Sequence, residues 1–90
     1  MDENILKIAQ KEISKKIDVK KSFNENNFDS LDLMTFIAIC EDYHEIKINE
    51  SDYSSIKSFS SLDKLIKKKI TKYFFKISYL TTSINLNTKL

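Results

Sequence analysis

Glycine and proline are both absent from this chain of 90 residues. Tight hairpin turns draw on glycine for backbone with positive φ, and without it only asparagine and aspartate serve well. That argues against a hairpin-rich β fold and leaves helices. Arginine is absent too: all 15 basic residues are lysine, whereas readers of nucleic acid usually use some arginine for bidentate contacts to guanine and phosphate. Cysteine occurs once, at Cys40, so no internal disulfide can form. Histidine also occurs once, at His44, and one histidine with one cysteine cannot assemble a usual metal site. No long apolar run follows the charged start Met1-Asp2-Glu3, so neither a signal peptide nor a membrane span is visible and the expected compartment is the cytoplasm.

What is present describes one small folded domain. Hydrophobic residues make up 41% and charged residues 31%, a balance that builds a core and not a disordered tail. The length permits a modest core, which disfavours a deep catalytic cleft of several converging side chains, and no enzyme activity is expected. A net charge of +2 is too small to decide partners.

Apolar residues at Ile5, Leu6, Ile8, Ala9, Ile13 and Ile17 recur at helical steps, predicting a first amphipathic helix from Ile5 to Ile17 with Lys7, Lys11, Glu12 and Lys15 outside. Residues 18–29 lose that period and read as a long loop pinned by Val19, Phe23 and Phe28. Periodicity resumes at Ser30. Leu33, Phe36, Ile37 and Cys40 mark one face, widened by Leu31, Met34, Ala38 and Ile39, which predicts that the second helix is the most buried. Asp29 is placed to cap it, with Asp32 three residues on. A short third helix is expected from Ser51 to about Ile56, then a turn at Lys57-Ser58-Phe59. A fourth helix follows, capped by Ser60 with Asp63 at the capping-box position. The predicted architecture is all-α, a small four-helix bundle of three main helices and one short one, with a long loop between the first two.

The stretch Asp29-Ser30-Leu31-Asp32, at a loop-to-helix junction, resembles the Asp-Ser-Leu motif at which acyl carrier proteins receive their prosthetic group. Glu41-Asp42-Tyr43, Ile46-Lys47-Ile48 and the run from Ile56 to Ile66 are similar to later segments of that family, so the likeness spans about residues 3 to 70. Two departures stand out. Asn27-Phe28 replaces a glycine often found before the motif, and the second helix is one residue short before its terminal aromatic, with the next loop one longer. The resemblance implies that Ser30 carries 4′-phosphopantetheine, placed there by a phosphopantetheinyl transferase. The arm would then hold acyl groups as thioesters for acyl-loading and acyl-transfer or synthase enzymes. It further implies docking roles for Asp29, Leu31, Asp32, Glu41 and Asp42.

A phosphodiester at Ser30 would lie beside the N–H groups and positive dipole end of the helix. Cys40, on the apolar face, reads as a small buried hydrophobe and His44 as structural. The pairs Lys15-Lys16 and Lys20-Lys21 and the run Lys67-Lys68-Lys69 read as solvated faces that would still repel a basic partner. Phe36, Ile37, Ile56, Leu62 and Ile66 are the candidate walls if an acyl chain is buried between helices, with ordinary core packing the default. The carrier domain is expected over 1–70. Apolar positions 73, 74, 77 and 80 then extend the last helix to about Leu80, and a polar tail follows. The basic balance favours a dedicated pathway over housekeeping fatty-acid synthesis. The motif leaves fatty-acyl, polyketide and aminoacyl or peptidyl cargo open. The alternative outside this class is a helical interaction or DNA-binding module, which requires no covalent modification.

Overall fold

The computed structural model describes residues 1–71. Helix α1 spans Glu3–Ile13, α2 spans Ser30–His44, a 3₁₀ helix spans Glu50–Ser55, and α3 runs over residues 59–71. No strand occurs among the described residues. The expected extension of the last helix to Leu80 and the polar tail lie outside them.

α1 starts two residues earlier than its apolar period suggests, because the Asp2 carboxylate accepts the Asn4 N–H at 2.8 Å. It also ends earlier. Ser14 turns into the left-handed region at φ 60°, and the Ile17 N–H is met by the Gln10 side chain at 3.0 Å, so Ile17 packs on the core from the loop. Ile8, expected inside, is 42% exposed. α3 likewise begins earlier than expected. Its cap is Ser58 and not Ser60: Ser58 Oγ accepts the Ser61 N–H at 3.1 Å and Ser61 Oγ accepts the Ser58 N–H at 2.9 Å. That start brings Phe59 to within 4.6 Å of Phe23, centroid to centroid, and edge-on to Phe28 and Phe36. Burying this aromatic group decides where α3 starts.

The core combines Ile5 and Ala9 of α1, Phe36, Ile37 and Cys40 of α2, and Phe59, Leu62 and Ile66 of α3, closed by Phe28, Ile46, Ile48 and Ile56 from the connections. The five residues named as possible acyl-chain walls are all buried in this one cluster. α2 is not more buried than its neighbours. Leu31 and Met34 are 70% and 57% exposed, because α2 turns only its Phe36, Ile37 and Cys40 side to the bundle.

The loop between α1 and α2 is built around Asn26, which is buried. Its side-chain oxygen accepts the Asp18 N–H at 2.8 Å, and its amide donates to the carbonyls of Asp18 at 2.9 Å and Ser22 at 2.8 Å. One amide thus satisfies backbone groups that a buried loop would otherwise leave unmet. Asn27 beside it takes φ 59°, the conformation for which asparagine substitutes for glycine.

Candidate functional site

Asp29, in extended conformation, ends the loop and caps α2. Its Oδ1 accepts the Asp32 N–H at 2.8 Å, while Asp32 Oδ2 accepts the Asp29 N–H at 3.2 Å, a reciprocal capping box that fixes where the helix begins. Ser30 is the first residue of α2 and is exposed.

Lys15, read from the sequence as part of a solvated face, belongs to this site. Its ammonium pairs with Asp32 Oδ2 and donates to the Asn27 carbonyl at 2.6 Å, tying the chain just past α1 to both ends of the loop-to-helix junction. The Lys15 hydrogen bond, helped by the Asp29 N–H, holds the Asp32 carboxyl below the usual aspartate range. Nothing in the local sequence pairs residues 15 and 32; only the fold brings them together. Lys69 repeats the pattern at 2.8 Å from Asp52, whose carboxyl is lowered chiefly by that contact, so the lysine run is partly structural.

A groove of about 270 Å³ opens beside Ser30 and is lined by Phe23, Phe28, Asp29, Leu33 and Lys57, among others. Of the remaining residues singled out from the sequence, Leu31 projects into solvent one position after Ser30. Asp42 is exposed and lines a second groove, about 430 Å³, between α1 and α2 with Ile8, Ala38, Ile39 and Tyr43. Glu41 is half-buried and accepts the Ile48 N–H at 2.8 Å, holding the loop after α2. The structure therefore gathers Asp29, Ser30, Leu31 and Asp32 at one end of α2 and leaves Glu41 and Asp42 at the other. Cys40 is fully buried, and burial pushes its thiol up to about 12. Tyr43 and His44 stack edge-on, and Tyr43 accepts a hydrogen bond from Asn4 at 3.2 Å. No three-residue metal cluster occurs among the described residues, and no described helix is long and apolar enough to cross a membrane.

The site suits a phosphopantetheine group on three counts. It offers an exposed hydroxyl, a helix start whose dipole favours negative charge, and a groove with apolar walls and a cation beside it. Residues 3–66, more than half of the chain, match the family model described as phosphopantetheine attachment site. The chain belongs to that family, and its group, covalently bound phosphopantetheine, makes it a carrier and not a catalyst. The fold is similar to the crystal structure of an acyl carrier protein from Thermotoga maritima, at 24% sequence identity, covering 79% of this chain and 87% of that one with a TM-score of 0.69. No curated protein matches.

Proposed function

We propose that Ser30 is the residue that carries the phosphopantetheine, and that the protein presents acyl intermediates held on it to partner enzymes of a dedicated pathway. The observation that carries this reading is the exposed Ser30 hydroxyl at the start of a helix whose cap is locked by the Asp29–Asp32 box. The bound group supplies a terminal thiol that activates acyl groups as thioesters. The chain's own residues do the rest: Asp29 and Asp32 fix the helix start, and Lys15 fixes the loop against it.

Docking is assigned to Asp29, Leu31 and Asp32 around the serine, with Glu41 and Asp42 toward the far end of α2. Asp32 shares its charge with Lys15 and Glu41 has an oxygen engaged by Ile48, so exposed Leu31 and Met34 contribute more contact here than an acidic strip would. A phosphopantetheinyl transferase acting on Ser30 and acyl-loading or synthase enzymes acting on the charged carrier are the partners. The lysine-rich composition supports a dedicated partner set. Intact mass after incubation with coenzyme A, Mg²⁺ and a broad-specificity transferase tests the reading. Wild type gains one phosphopantetheine and Ser30→Ala none; equal gain in both overturns it.

A further inference from the structure

We propose that Lys57 binds the phosphodiester of the group carried on Ser30 and holds the near end of the arm in the groove beside α2, an inference that rests on Ser30 being the attachment point. Lys57 is the cationic residue among those lining that groove, together with Ser30, Asp29 and Leu33. It belongs to none of the four ion pairs among the described residues, in which Asp32, Asp52 and Asp63 are taken by other cations. Its backbone is fixed. The Lys57 N–H donates to Ser61 Oγ at 2.8 Å, and the residue follows buried Ile56 and precedes the Ser58–Ser61 cap of α3.

A phosphodiester carries one negative charge at any physiological pH. Beside Ser30 it meets Asp29, whose carboxylate is committed to the Asp32 N–H and stays as a like charge on the same groove. An ammonium lining the same groove offsets that repulsion. Phe23, Phe28 and Leu33 give the groove apolar walls that suit the branched, methyl-bearing part of the arm next to the phosphate. At about 270 Å³ it falls below the size of pockets that enclose whole drug-sized ligands, so it takes only the near end of the arm and leaves the thiol end to partners. Lys57 is thus a positioning residue for the arm.

The test compares apo and holo forms of wild type, K57A and K57R, each loaded from coenzyme A and verified by intact mass, using amide shift maps and the ³¹P linewidth. In wild type, loading is expected to shift amides at Phe23, Lys57 and Ser58 as well as those around Ser30. K57A should lose more than half of the shifts at 57–61 and narrow the ³¹P line, while amides around Ser30 still respond, and K57R should restore both signals. The same shifts and linewidth in wild type and K57A overturn the Lys57 assignment and leave Ser30 standing. Absence of added mass, or mass on another residue, overturns both.

Discussion

Around Ser30 each neighbouring side chain has a task. Asp29 caps, Asp32 closes the box and receives Lys15, and Leu31 faces solvent. A carboxylate whose pKa is lowered in the fold stabilises it fully above the ordinary aspartate value, about 4, and that contribution is lost as pH falls through the lowered value. Lys15→Gln is therefore expected to melt below wild type at neutral pH, with the gap shrinking as pH drops below about 4; thermal melts from neutral to strongly acidic pH check this. The pair is partly solvated and so screened, which keeps the effect small. Leu31→Ala should leave Tm unchanged and lower the transferase kcat/KM by about five- to tenfold, the size of one lost contact of 1 kcal/mol or slightly more. Equal kcat/KM for the two proteins would remove Leu31 from the docking surface. The place of Ser30 at the helix start and the Asp29 cap were legible in the sequence because both are local. Lys15 and Asn26 were not, since Lys15 reaches Asn27 and Asp32 across the loop and Asn26 reaches back to Asp18.

Among the described elements, periodicity revealed each long helix and placed α2, but misplaced both ends of α1 and the start of α3. Helices α1 and α2 end at positive φ on Ser14 and Glu45, residues that pay for left-handed backbone with a Cβ clash. Glu45 donates its N–H back to the Glu41 carbonyl from that conformation at φ 53°. Replacing it with glycine removes a clash worth roughly 1–2 kcal/mol and returns part of it as unfolded-chain entropy. Glu45→Gly is expected to stabilise the protein by about 0.5–1 kcal/mol and raise Tm by about 3–6 °C in a thermal melt. The absence of glycine pointed to Asn and Asp as the turn residues; of the three positive-φ positions among the described residues only Asn27 fits, and Glu45 is held there by its cap bond. The cap of α3 was misread for a different reason: Asp63 made Ser60 look like the cap in sequence, whereas the aromatic cluster around Phe59 and the Ser58–Ser61 hydrogen bonds set the start at Ser58.

For the molecule as a whole, the fold class followed from composition and period, whereas the exposed side of α2 did not. An apolar helix looks buried in sequence whether its second face meets the core or a partner, and Leu31 and Met34 belong to the outward face. Cys40 reports on the whole bundle. With its thiol buried and pushed up to about 12, it is expected to resist a disulfide reagent in the native state and react promptly in denaturant, so its native labelling rate measures opening of the fold. Fast native labelling would contradict the packing of α1, α2 and α3 around it. The central claim is that one hydroxyl at the start of α2 carries the arm. The most direct test is fragmentation of the intact holo protein to locate the added phosphopantetheine. All of it is expected on Ser30, and its appearance on Ser22, Ser58 or any other residue would contradict the account.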